Sequence, residues 1–343
     1  MNEKIVLERA DKPLFIMMVG LAGSGKSTIA KSIAIKNASG VELPPIVHSS
    51  DALRFELYGD EKNQERNGEV FSILKTRIKD DLKNKRSVVF DATNLSKKQR
   101  VAFLTELKKV QCHKTCVCVM TPYETCLKLN SNRERQVPEH AIKRMYMNWT
   151  PPHQHEGFDD VILHFNTIGQ GENFEIDKLF ERINNIDQEN SHHAYTIGRH
   201  CLEAAEYTKT KNPHDRVLNA ATCLHDIGKE FTKTRINSRG VEDGECHYYQ
   251  HQCVGAYNSM FYLKEMGFSD EEIIEASNMI YYHMHPYVSW RHSEKALNRD
   301  KRMIGENMYN KVMQLHEADR LAHGPSKGLA LKKTHEEGIE IER

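Results

Sequence analysis

The sequence predicts an α/β domain, with a parallel sheet and flanking helices built around a phosphate-binding loop, followed by an all-α domain. Three observations carry that prediction. Apolar runs of strand length alternate with helical patterns over roughly the first 170 residues, the order expected of a parallel sheet wrapped by helices. The run Leu14 to Val19 leads straight into Gly20-Leu21-Ala22-Gly23-Ser24-Gly25-Lys26-Ser27-Thr28, which meets the phosphate-loop pattern at every fixed position. After about residue 190 strand signals almost vanish and histidine becomes common. The expected divisions are a first domain over 1–170, a linker over 171–190, a second domain over 191–330 and a polar tail over 331–343.

The 343 residues are enough for two domains that each bury a core. Lys and Arg number 48, as do Asp and Glu, so the net charge is zero and nothing global points to nucleic acid or a membrane. Contact with phosphates must come from local patches. The eight cysteines show no paired zinc-finger spacing and are expected to be reduced and mostly buried, in a cytoplasmic protein. The apolar run near the N-terminus is short and enters the phosphate loop, so neither a signal peptide nor a transmembrane span is expected.

Leu14 to Val19 is the first strand, and Ile29, Ala30, Ile33 and Ala34 at helical spacing supply the helix that the loop requires. Glycine at 20, 23 and 25 lets the backbone curl, so that successive N–H groups and the helix N-terminus meet one anion. With Ser24 and Thr28 completing the cradle, Lys26 would reach the β and γ phosphates of ATP and Ser27 would hold Mg²⁺. Pro44 to Asp51 is a short strand delivering Asp51 at its C-terminal end, where ligands collect in open α/β sheets. Gly68 to Lys85 is an amphipathic helix, and Ser87 to Asp91 a buried strand ending in Asp91 at the Walker B location. Lys97 to Lys109 is a helix, Thr115 to Met120 a strand, Tyr123 to Arg135 a helix and Phe158 to Phe165 the last strand. Asp51 also suits a helix N-cap on the segment from Ala52, and Asp91 a cap or turn.

The strings Ser50-Asp51-Ala52-Leu53-Arg54, Asp91-Ala92-Thr93-Asn94 and Arg133-Glu134-Arg135-Gln136-Val137-Pro138, followed by Arg144-Met145, resemble the 5′-polynucleotide kinases of phage and bacterial nucleic-acid repair systems. The resemblance covers about residues 14 to 165. It implies that Asp51 is the general base for an incoming 5′-hydroxyl, that Arg54 engages the phosphate of the acceptor strand, and that Asp91 either orients it or binds the Mg²⁺ shell. Arg133 and Arg135 lie where that family carries its lid, and one of them would close over the transferring phosphate. Phosphoryl transfer through a loose in-line transition state asks the protein mainly for such positioning and charge stabilisation.

Phe174 to Ile186 reads as a short helix, and Asp187 to Ser191 opens the second domain with polar residues. The constellation there is His200, the pair His225-Asp226, His251, His283 and Asp319, placed so that five helices each contribute. Ala220 to Ile227 is a helical run closed by Gly228 as its C-cap. Together with Leu224-His225-Asp226-Ile227-Gly228-Lys229 and the Tyr-x-x-His-x-x-x-Gly-Ala string at 248 to 256, this order resembles the HD superfamily of metal-dependent phosphohydrolases over about residues 190 to 325. The likeness is greatest to HD domains attached to transfer-RNA nucleotidyltransferases and bacterial end-healing kinases. It implies that His200, His225, Asp226 and Asp319 hold a first metal and that His251 and His283 complete a second site, with His285 the alternative to His283. One or two ions of Mn²⁺, Ni²⁺, Co²⁺, Fe²⁺ or Zn²⁺ suit such donors. His316 and His323 share the face of Asp319 at helical spacings of three and four. Lys229 would meet a substrate phosphate or only the helix dipole. His153, His155, His192, His193 and His247 receive no role.

Joined, the two resemblances imply end healing of broken RNA or DNA. ATP-dependent phosphorylation of a 5′-hydroxyl would accompany metal-dependent hydrolysis of a 2′,3′-cyclic or terminal 3′ or 2′ phosphate, leaving ends for a separate RNA ligase. In the bifunctional enzymes resembled, the HD domain precedes the kinase; here the kinase comes first. The alternatives are a small-metabolite kinase fused to a nucleotide phosphohydrolase, and an ATP-sensing regulator of an HD hydrolase. Lys97-Lys98-Gln99-Arg100, Lys108-Lys109, Lys143-Arg144 and Lys332-Lys333 are the local basic clusters available to nucleic acid, or else solvated faces.

Overall fold

The strand Leu14–Val19 has no exposed residue and runs through the middle of a five-stranded sheet. In spatial order the strands are Ile46–Ser49, Val88–Asp91, Leu14–Val19, His113–Met120 and Asp160–Phe165, all parallel. A strand buried on both faces has no reason to alternate polar and apolar residues, which is why the central three read as near-continuous hydrophobic runs. Ile29, Ala30 and Ile33 from the loop and helix above pack with Leu14, Ile16, Met18, Val89, Val117 and Val119 in one cluster. The computed structural model describes residues 5–8, 11–36, 40–61, 63–166, 174–191 and 194–323. The expected polar tail over 331–343 with Lys332-Lys333, the polar stretch 167–171, and His192 and His193 lie outside the described residues.

The chain divides into two compact units, Met1–Tyr146 with Pro152–Glu172 and Met147–Pro151 with Asn173–Arg343. Several boundaries in the first unit differ from the sequence reading. The first helix is only Lys26–Ser32; Ile33 is extended and Ala34–Lys36 pairs in parallel with Val6–Glu8, so Ile33 and Ala34 lie beyond the helix rather than on it. The helix expected over Tyr123 to Arg135 stops at Ser131, leaving Arg133 and Arg135 in the following loop. The buried Asn130 side chain causes this: its amide donates to the Val137 carbonyl and accepts from the Val137 N–H, both at 2.9 Å, closing the loop into a ring. Arg100 leaves the expected basic cluster altogether. It is buried and forms a two-pronged pair with Glu156 at 2.7 Å on each prong.

The second unit is built on the helices Ile197–Lys211, Arg216–Leu224, His251–Glu265, Asp270–Tyr282 and Glu294–Leu321. Most of His251–Glu265 is buried and packs chiefly on Asp270–Tyr282, while Arg216–Leu224 is the helix that meets all four others. The unit is not purely helical: Lys233–Ile236 and Glu242–Tyr248 form an antiparallel hairpin. The expectation of an all-α domain missed it because its strands are largely exposed and carry few large apolar residues, although the turn stretch Asn237-Ser238-Arg239-Gly240 marks it. Trp149, inside the first domain expected from sequence, belongs to this unit and packs edge-on against Tyr257 with ring centroids 5.0 Å apart. The long last helix breaks at Gly305, where φ is 81° and ψ 162°.

Candidate functional site

The phosphate loop is shaped by what surrounds it as well as by its own glycines. Gly23 has φ 81°, and a Cβ there would stand 2.3 Å from the Cys126 carbonyl oxygen, so only glycine permits the helix Tyr123–Ser131 to approach this closely. Gly25, at φ 85°, is the N-cap of the helix that starts at Lys26. Four residues just beyond neighbouring strand ends pin the loop. Thr93 accepts through its carbonyl from the Gly20 N–H, the Asn94 amide donates to the Met18 carbonyl, and Thr121 Oγ1 and Asn166 Nδ2 both donate to the Ser24 carbonyl. Thr121 and Asn166 were not singled out from sequence; each is the first residue after its strand, a signal that could have found them.

Lys26 is buried, and its ammonium donates to the Leu21 carbonyl at 2.5 Å. Burial lowers its pKa to about 8, against an opposing pull from Asp91. Ser27 is half-buried and Thr28 exposed at the start of the same helix. Ser49 and Asp91 are register partners at the ends of adjacent strands, so the start of the helix Ser50–Tyr58 and the buried Asp91 carboxylate stand side by side. Asp51 is not the N-cap of that helix. Ser49 fills that place, its hydroxyl accepting from the Ala52 N–H at 3.5 Å, and this leaves the Asp51 carboxylate for other partners. Those partners are arginines: Arg54 at 2.7 Å on one oxygen and Arg135 at 2.9 Å on the other. Arg54 is buried and also donates to Asn67 Oδ1, while Arg135 pairs with Glu61 as well. Arg133 is exposed and lies near enough to Lys26 to depress its pKa further. Of the two arginines expected to form a lid, Arg135 thus pairs with Asp51, and Arg133 lies within electrostatic reach of Lys26.

The second unit gathers its constellation into one buried cluster. His200, His225 and Asp319 form one group, and Asp226, His251 and His283 another, with the ligand atoms in each within 4.8 Å of one another. Asp226 joins the two: one oxygen faces His200 and His225 at 3.3 and 3.5 Å, the other His251 and His283 at 3.3 and 3.7 Å. The sequence reading placed Asp226 with the first group alone. His285 lies outside both groups, packed among Tyr281, Tyr282 and Trp290, so the donor at that position is His283. His323 adds a contact to Asp319 at 3.4 Å.

The backbone aims these imidazoles. In all four, Nδ1 faces a main-chain carbonyl: Ala322 for His200, Thr222 for His225, Tyr248 for His251 and Ile280 for His283. A ring that donates from Nδ1 keeps its lone pair on Nε2, and here the Nε2 atoms converge, with 3.2 Å separating His200 from His225 and His251 from His283. Lone pairs that close repel unless a proton or cation lies between them, so the donor set fits a divalent metal, in one or two positions. Electrostatics agree. Burial opposes a charge on Asp226, but Lys229 and the facing histidines outweigh it and hold the carboxyl well below the usual range. Burial likewise opposes protonation of His200, yet hydrogen bonds to Asp226 and Asp319 raise it to about 9. Burial and the neighbouring imidazoles lower His283 to about 3. The cluster favours positive charge and keeps at least one imidazole neutral for ligation.

Three residues of this site escaped the sequence reading in their actual roles. Lys229 neither reaches outward nor serves the helix dipole; it is buried, pairs with Asp226 at 2.6 Å and donates to Gln188 Oε1 at 2.7 Å. Gln188 is fully buried although it lies in the stretch expected to be a linker. Gly228 is not a left-handed C-cap either: its φ is −66°, and the helix ends at Leu224. A Cβ on it would come within 2.0 Å of the His251 carbonyl oxygen and 2.5 Å of the Gly255 nitrogen, so glycine is there to let the segment after Asp226 touch the helix that begins at His251.

Residues 15–152 match the protein-family model described as an AAA domain, AAA_33. An L-seryl-tRNA(Sec) kinase from Methanococcus maripaludis is 28% identical over 141 residues, which cover 40% of this chain and 53% of that protein. The chain therefore spans about half the length of the curated relative it matches. Among solved structures, the Pnkp1/Rnl/Hen1 RNA repair complex matches over 40% of this chain and 44% of that one, with 23% identity and a TM-score of 0.33. A gluconokinase from Sinorhizobium meliloti 1021 matches over 46% of this chain and 83% of its own, with 14% identity and a TM-score of 0.30. The five-stranded parallel sheet with flanking helices fits the P-loop kinase fold.

Proposed function

We propose that this protein heals broken nucleic-acid ends, RNA or DNA, through a kinase centre in its first unit and a phosphoesterase centre in its second. The observation that carries the reading is their coexistence in one chain: a phosphate loop beside an arginine-held aspartate, and a buried set of four imidazoles and two carboxylates. In the kinase reaction the loop amides and Lys26 hold the triphosphate of ATP, and Ser27 would hold Mg²⁺. Asp51, once Arg135 yields one of its oxygens, accepts the proton of a terminal 5′-hydroxyl as that oxygen bonds to the γ-phosphorus and ADP leaves. Arg133, on the phosphate side, is the arginine that covers the transferring group. Arg135 and Arg54 orient Asp51 and the acceptor strand. The name of the Methanococcus relative, a kinase for a transfer RNA, supports an RNA acceptor over a free metabolite.

In the second unit His200, His225, His251, His283, Asp226 and Asp319 would hold one or two transition metals. Metals of this class supply a hydroxide at neutral pH and neutralise phosphate oxygens, the chemistry needed to open a 2′,3′-cyclic phosphate or remove a terminal one. Lys229 keeps Asp226 oriented through its ion pair. The healed ends would pass to a separate ligase.

A synthetic RNA bearing a 5′-hydroxyl and a 2′,3′-cyclic phosphate, incubated with ATP, Mg²⁺ and Mn²⁺ and read by mass spectrometry, tests both halves. It should gain a 5′ phosphate and lose the cyclic one. Lys26→Ala and Asp226→Asn should each abolish one change, by about 10³-fold or more, and spare the other. An RNA left intact at both ends while ATP is consumed on a small hydroxylated compound would sink the polynucleotide reading.

A further inference from the structure

Among the described residues, the buried polar atoms of the second unit without a hydrogen-bond partner include Tyr287 Oη, Ser289 Oγ and His316 Nδ1. Two of them lie together. The Tyr287 ring meets the His316 ring edge-on, with centroids 4.3 Å apart. Buried polar groups are nearly always paired, so two orphans side by side ask what satisfies them. Their positions answer. Tyr287 follows His283 by four residues through a run of helical turns, Tyr287 N–H to Met284 and Val288 N–H to Met284, which keeps it on the same side as that imidazole. His316 precedes Asp319 by three residues on one helix face. The pair thus flanks one member of each donor group.

We infer that the Tyr287 hydroxyl donates to a phosphate oxygen of the ester bound at the buried donor set, with His316 holding the phenol in place. The inference rests on the phosphoesterase reading of that set. A phenol suits the role because it is a donor that adds no charge beside two carboxylates. It lies close to the Asp319 and Asp226 carboxylates, beside which a neutral donor is the group that fits. The same carboxylates would repel a phosphate unless cations stood between, so the hydroxyl gains its partner only when metal and substrate are both bound. A donor waiting for its acceptor explains why the atom is left without one.

Tyr287→Phe in the full chain tests this. Calorimetry should show Mn²⁺ alone binding the variant within about twofold of wild type, while inorganic phosphate added to the Mn²⁺-loaded variant binds about tenfold or more weakly, the scale of a hydrogen bond to a charged group. Unchanged phosphate affinity in a variant that loads Mn²⁺ would overturn the inference and leave the phosphoesterase reading standing. A fall in Mn²⁺ affinity with phosphate affinity preserved would overturn it too, making Tyr287 a support for Asp319. A wild-type protein that takes up no Mn²⁺ or other divalent transition metal would remove the reading itself, and this inference with it.

Discussion

The two candidate sites handle charge in opposite ways. The first is made chiefly of backbone: loop amides around Lys26, with Asp51 half-exposed and arginines on mobile-length side chains completing the ring. The second is made of side chains, every donor at most 5% exposed and each imidazole fixed by a carbonyl behind it. Backbone donors serve a ligand that brings its own charge and leaves again. Buried side-chain donors suit an ion that stays, since removing it would strand their lone pairs away from water. Under the proposed function, the first site would be assembled around a visitor and the second around a resident.

That contrast makes graded predictions. The largest concerns the arginines of the first site. Arg133→Ala should lower kcat of the kinase by about 10³-fold, whereas Arg135→Ala should act mainly on the acceptor KM and cost about tenfold; steady-state kinetics with ATP and a 5′-hydroxyl RNA would separate them. Equal losses would mean that the lid closes as one unit. Arg100→Met tests whether the lost member of the basic cluster is structural. It should cost about 3–5 kcal/mol in denaturant unfolding of the first unit by stranding Glu156, with no change in the salt dependence of RNA binding. Gly228→Ala probes the close approach in the second site. Its Cβ must push the start of His251–Glu265 aside, so stability should fall by about 1–3 kcal/mol and Mn²⁺ affinity should drop with it, as calorimetry would report. The smallest effect is that of pH on the first site. Lys26 is charged below its folded pKa of about 8 and loses its proton above it, so ATP affinity should be flat at lower pH and weaken above pH 8. The slope, at most about tenfold per pH unit, is the signature of one proton taken up with the nucleotide.

The sites were legible to different depths. Gly20 to Thr28 could be read directly, because a phosphate loop is a local object: its donors are consecutive backbone groups, and their geometry follows from where glycine falls. Asp51 and Asp91 followed from strand ends. The six donors of the second site could be named from their order, but not the pattern in which Asp226 joins two groups, nor the choice of His283 over His285. The hairpin Lys233–Ile236 with Glu242–Tyr248 was missed because exposed strands of polar residues leave a weak periodic signal. Arg100 looked like a surface charge because two lysines, Lys97 and Lys98, stand just before it, and Glu156 lies 56 positions away.

By itself the sequence determined the strand-loop-helix of the phosphate site, the alternation that makes a parallel sheet, and which six residues would be expected together in the second unit. The first of these rests on spacing within one short stretch, where bond geometry alone relates the residues; the second rests on the order of elements, and the third on residue order and a resemblance spanning five helices. The tertiary structure decided the rest: that Ser49 rather than Asp51 caps its helix, that Arg133 and Arg135 part company, and that Lys229 turns inward to Asp226 and Gln188. It also decided that Gly228 admits the His251 backbone. Each is a choice among partners made by packing between segments distant in the chain, and no local period encodes which of several acceptable partners a side chain will meet.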